Sequence, residues 1–117
     1  MINHNRIYSL DRLNEIGDGD TDFIKEVIGV FLENLPANAT ALVKACKASE
    51  WQSVYFTAHK MKASIDLMGI EEIMQEIRVI EQYAKSNTNL DQLDDKVNLI
   101  NEIIQQTACE MKEDFNL

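Results

Sequence analysis

Apolar residues recur along this chain at three- and four-residue intervals, and strand-like alternation is not sustained over any useful length. The opening segment YSLDRLNEIGDGD predicts a short helix with Ser9 as N-cap and Gly17 as its stop. Asp20 or Thr21 then caps a second helix. Its apolar positions are Phe23, Val27, Phe31 and Leu35, flanked by Ile24, Ile28 and Leu32. Pro36 lacks a backbone donor and restricts Leu35, so it either kinks this helix or begins a new one. From Ala37 to about Ala48 the pattern resumes through Ala41, Leu42 and Ala45.

The next helix is SEWQSVYFTAHKMKASIDLM, capped by Ser49 and stopped by Gly69. Another runs from Ile70 to about Lys85, with Ile70, Ile73, Met74, Ile77 and Ile80 on one stripe. KSNTN is a polar loop. The last helix shows Leu93, Val97, Ile100 and Ile104, and Met111 and Phe115 extend that stripe. Four long amphipathic helices with short connections favour antiparallel neighbours. The predicted fold is therefore all-α: an antiparallel up-down four-helix bundle with an additional short N-terminal helix.

Composition narrows the picture. The 117 residues are expected to form one domain spanning 1–117, and four glycines with one proline are too few turn residues for an all-β protein. The net charge of −9 argues against nucleic acid and anionic membrane surfaces as partners. Any phosphate chemistry must then rest on a local positive cluster. MINHNRIYSL lacks the apolar run of a signal peptide, and no 18-residue apolar stretch follows. A cytoplasmic monomer with Cys46 and Cys109 reduced is expected.

Placed at 100° per residue, Val54, Ala58, Met61, Ile65 and Met68 share one direction, the expected core stripe. His59 lies roughly 140° from it and Ala63 roughly 180°, while Phe56 and Leu67 point outward on the other side. An ionisable group among exposed apolar side chains is a candidate docking surface. Lys62 shares a face with His59 and leans back toward it; Lys60 lies on the other flank. Two cations beside an imidazole make sense if that side chain is to carry an anionic group. Phosphorylation does this, adding about −1.5 to −2 charges near neutral pH. An exposed neutral imidazole also carries a lone pair for attack.

Other chemistries lack their residues. No G-x-x-x-x-G-K-[ST] loop exists to cradle a nucleotide. The residue three before His59 is Phe56, not the Glu of a di-iron bundle. His4, His59, Cys46 and Cys109 lack zinc spacing, so no metal site is expected, and His4 is assigned to a tail.

The run AHKMKASIDLMGI resembles the signature of histidine-containing phosphotransfer (HPt) domains: His59, Lys62 three residues on, small Ala63 next, and Gly69 ten after the His. YSLDRLNEIGDGDTDFIKEVIGVFLENLP resembles the family's N-terminal segment, and RVIEQYAK its apolar-Glu segment. The resemblance covers roughly residues 8 to 85. It implies a helical bundle and a relay of phosphoryl groups between aspartates of response-regulator receiver domains. By that likeness His59 is phosphorylated at Nε2, and Lys62, with Lys60, stabilises the phosphoryl group. Phe56, Ala63 and Leu67 meet the receiver, and Gly69 makes the structural turn. Ala63 departs from the family's usual Gly, which puts the closeness of docking in question. No cofactor bound by this chain is expected; Mg²⁺ comes from the partner receiver. A hybrid histidine kinase is a further expected partner, and autonomous kinase activity is not expected. Two alternatives stand beside the relay: a scaffold that binds receivers without being phosphorylated, and the substrate domain of a histidine kinase.

Overall fold

The computed structural model describes residues 6–117, and every regular element among them is helical. The order is α1 (Asp11–Gly17), α2 (Thr21–Lys47), α3 (Trp51–Leu67), α4 (Glu71–Ser86), a 3₁₀ turn (Leu90–Gln92) and α5 (Leu93–Phe115). His4 lies outside the described residues.

Of the two expected caps of α2, Asp20 is the one used: its Oδ1 accepts from the backbone N–H of Asp22 at 3.0 Å and Phe23 at 3.2 Å. Pro36 does not begin a new helix, because α2 runs on through it. Leu35 and Ala39 hold that stretch to the core. The Pro36 carbonyl accepts from Thr40 Oγ1 at 3.2 Å and from Gln105 Nε2 of α5 at 3.0 Å. Beyond Pro36 the buried stripe runs through Ala39, Leu42, Ala45 and Cys46, while Ala41 is exposed.

Two expected serine caps are displaced. Leu10, not Ser9, is the N-cap of α1, although Ser9 Oγ accepts from the Asp11 N–H at 3.3 Å. Glu50, not Ser49, precedes α3. Ser49 is taken by the end of α2: at φ 56° its N–H bonds the Cys46 carbonyl, and Glu50 N–H bonds Ala45. In this three-residue connection Ala48 and Ser49 finish α2, and Glu50 opens α3.

Gly69 closes α3 in the same way. At φ 61° it occupies the left-handed position, its N–H bonds the Asp66 carbonyl at 3.1 Å, and Ile70 N–H bonds Ile65 at 3.2 Å. Ser9 N–H donates to the Met68 carbonyl at 2.9 Å, so the chain's entry lies over this turn. Arg6 pairs with Asp114 and Glu113, and Tyr8 hydroxyl bonds Asp114, fastening the same segment to α5.

The four long helices pack in a ring: α2 on α3, α3 on α4, α4 on α5 and α5 on α2. Ile28, Leu42, Met61, Ile65, Ile77, Ile80, Val97 and Ile104 are fully buried between them. Among the described residues no helix is long and apolar enough to cross a membrane. Cys46 is buried and Cys109 exposed, and both are free thiols.

Candidate functional site

The five residues of the expected α3 stripe, Val54, Ala58, Met61, Ile65 and Met68, are all buried. That burial fixes the helix's rotation. His59, one residue past Ala58, is thereby turned to the surface, where its side chain is 58% exposed.

Helix α4 supplies its partner. Contacts between α3 and α4 run antiparallel: His59 lies beside Glu81 and Asp66 beside Arg78, and Trp51 lines one groove with Ala84. Glu81 Oε2 lies 2.5 Å from His59 Nδ1, and Glu81 Oε1 accepts from Lys62 Nζ at 2.8 Å. A carboxylate only accepts, so Nδ1 carries the proton and donates it. In the neutral ring Nε2 then keeps its lone pair. One carboxylate thus fixes the tautomer of the imidazole and holds a lysine beside it.

Electrostatics agree with an ionised Glu81. Burial pushes its carboxyl upward, but the hydrogen bonds from Lys62 and His59, with their charges, outweigh burial and hold it below the ordinary value. Farther along the groove, Arg78 bonds Asp66 through Nη1 at 3.1 Å and Nη2 at 2.5 Å. The Arg78 bonds hold the Asp66 carboxyl low, burial opposing. This fork braces α3 against α4 one turn beyond Lys62.

The other expected residues separate. Phe56 is 57% exposed and Ala63 is exposed, as their angles predicted. Leu67 is half-buried: it packs against the core and also borders two surface grooves. Val27, Val30 and Asn34 of α2 line a groove with it, and Arg12 of α1 shares a shallow depression with it and Ala63. A helical wheel of α3 alone does not show that residues of α1 and α2 border its last turn. Lys60 is exposed and forms no ion pair among the described residues, in contrast to Lys62. Gly69 makes the structural turn expected of it.

Sequence reasoning missed Glu81 and Tyr55 as members of this site. Tyr55, one turn before His59, stacks on the imidazole. The signal for Glu81 is its place four after Ile77 and three before Ala84, an acid at the margin of a buried stripe. The arrangement offers a solvent-facing nitrogen nucleophile, a fixed carboxylate behind it and a cation beside it. Among the described residues no cluster of three or more metal-ligating side chains exists.

A family model described as the Hpt domain matches residues 26–108. No curated protein matches the chain, and no solved structure does.

Proposed function

Because this chain belongs to the Hpt domain family, whose members take part in phosphotransfer in two-component signalling, we propose that it is a phosphorelay intermediate acting through His59. A receiver's phospho-aspartate supplies the phosphoryl group, and a second receiver's aspartate takes it away. The observation that carries this reading is the shared carboxylate. Glu81 holds Nδ1–H of His59 and the Lys62 ammonium together on an exposed face.

The chemistry follows from the tautomer. Nε2 attacks phosphorus in line. The P–O bond to the donor aspartate breaks, and its electron pair returns to that carboxylate. The imidazole becomes cationic, keeps its Nδ1 proton and leans on ionised Glu81. Charge spread over the transferring group calls for cations. Lys62 supplies one, exposed Lys60 is a second candidate, and the receiver brings Mg²⁺ and its own lysine. In the return step the N–P bond breaks, and the pair goes back to Nε2. The nearby side chains are already arranged, so little reorganisation is needed.

Docking falls on the face around His59. Phe56 lies on one side, Ala63 one turn on, and Leu67 contributes through the groove it shares with α2. Short connections and the ring of helix contacts support an antiparallel, up-down course for the four long helices. The partners are receiver domains, free or in a hybrid kinase, and the chain acts as a monomer in the cytoplasm.

The test is incubation with phosphorylated receivers. Labelled phosphate should move to this chain and onward to a second receiver, and His59→Gln should abolish both steps. Tight receiver binding without label would favour the scaffold instead. Label only from ATP and a kinase's catalytic domain would favour the kinase-substrate reading.

A further inference from the structure

Tyr55 stands one turn before His59 on α3, and its ring lies along the imidazole, with centroids 5.9 Å apart and planes inclined at 28°. That distance and tilt are those of an offset aromatic stack. We propose that Tyr55 is a positioning residue for His59: its ring covers one face of the imidazole, holds it toward Glu81, and steadies the positive charge that the ring gains during phosphoryl transfer. This inference rests on the phosphohistidine reading above and deepens it.

The first step of the argument is geometric. The His59 side chain is 58% exposed, so packing does little to restrain it. One hydrogen bond, from Nδ1 to Glu81 at 2.5 Å, fixes one ring atom. The ring still pivots about that bond, and Nε2 sweeps an arc. A second ring against the imidazole face removes the pivot and aims Nε2. Tyr55 is fit for this because it is itself held. It is half-buried and packs against the core, and Phe56 lies beside it with centroids 5.2 Å apart.

The second step is electrostatic. The attacking imidazole is neutral, and the phosphorylated ring with its Nδ1 proton is cationic. An aromatic face attracts a cation more than a neutral ring, so the stack strengthens as transfer proceeds. Glu81 acts on the same charge from the ring's edge. Lys62 opposes it but is itself bound to Glu81 at 2.8 Å. Tyr55 and Glu81 therefore act on different parts of one ring.

A partner-free phosphoryl donor separates this from receiver docking. With phosphoramidate, the P–N bond breaks and its electron pair leaves with ammonia, while His59 Nε2 bonds phosphorus. The whole chain is compared with Tyr55→Phe, Tyr55→Leu and Tyr55→Met, reading labelling rate, helical content and the ¹⁵N signals of the His59 ring. The Leu and Met variants should label about two- to fivefold more slowly at unchanged helical content, the size of an exposed cation–π contact. Their Nδ1–H signal should broaden. Tyr55→Phe should match the unaltered chain in both. Full-rate labelling in either folded ringless variant overturns the proposal, as does a Phe variant as slow as Leu, which would assign the effect to the hydroxyl. Label from phosphoramidate but from no phosphorylated receiver would count against the relay and leave the Tyr55 comparison readable.

Discussion

Glu81 Oε2 lies 2.5 Å from His59 Nδ1, so a carboxylate on α4 decides which nitrogen of an imidazole on α3 is left to react. The pair joins two helices whose mutual rotation is set by their buried stripes. The nucleophile is therefore oriented by the core, although it stands outside it.

Glu81→Gln keeps the shape and removes the charge. Its amide oxygen still accepts from Nδ1, but the cationic ring formed during transfer loses its counter-charge. Transfer should slow about tenfold, the worth of a hydrogen bond to a charged group. The variant also has a signature in acid. The folded carboxyl sits below its ordinary 4.5, because the Lys62 and His59 bonds outweigh burial. A depressed folded value stabilises the protein above the unfolded value, and that stability is lost as pH falls through the folded one. The variant should be less stable by about 1 kcal/mol at pH 7, and the gap should close in strong acid. Denaturant titrations across that range check it; a gap independent of pH would contradict an ionised Glu81.

Lys62→Ala removes the cation from the same carboxylate. Lys62 lies off the buried stripe and its side chain is 29% exposed, so its ion pair is worth under about 1 kcal/mol to the fold. Melting should shift by only a few degrees, while phosphoryl transfer slows roughly tenfold. Single-turnover rates and calorimetry on one preparation separate the two. A stability loss large enough to account for the lost transfer would remove the electrostatic role.

The periodic stripes made most of this fold legible. Every residue of the expected α3 stripe is buried, and from that stripe alone His59 could be placed outside. The same periodicity was silent about which helix faces which. Glu81 is 22 residues from His59, and their meeting depends on the antiparallel register of two helices. The same periodicity does not show that residues of α1 and α2 line grooves with half-buried Leu67. The serine caps differ on a finer scale: Ser49 suits either a helix start or a helix end, and the three-residue connection of Ala48, Ser49 and Glu50 assigns it to the end. Pro36 was undecided because propensity opposes it there while buried Leu35 and Ala39 favour continuing, and packing prevailed.

Gly69→Ala tests the turn under α3. The residue sits at φ 61°, and an added Cβ would lie 2.9 Å from Ser9 Cβ and 3.1 Å from the Ser9 carbonyl oxygen. The left-handed backbone alone costs a residue with a Cβ about 1–2 kcal/mol. The chain entry must also shift. Melting should fall by about 5–10 °C, measured by calorimetry. Labelling of His59 by phosphoramidate, ten residues upstream, should persist below the transition. An unchanged melting temperature would show that the entry segment yields freely.

Ala63→Leu asks whether the exposed turn after His59 meets the receiver. Ala63 is exposed, so a larger side chain there meets solvent and the fold should tolerate it. The added carbons would stand one turn from His59, where a receiver must approach closely enough for its aspartate to reach Nε2. Receiver affinity should fall about tenfold or more, the scale of a steric clash in a packed interface. Phosphoramidate labelling should be unaffected, because that donor is small. Calorimetric titration against one receiver, run beside the labelling assay, separates docking from chemistry. Unchanged affinity would move the docking face away from Ala63, toward the Phe56 side of the imidazole.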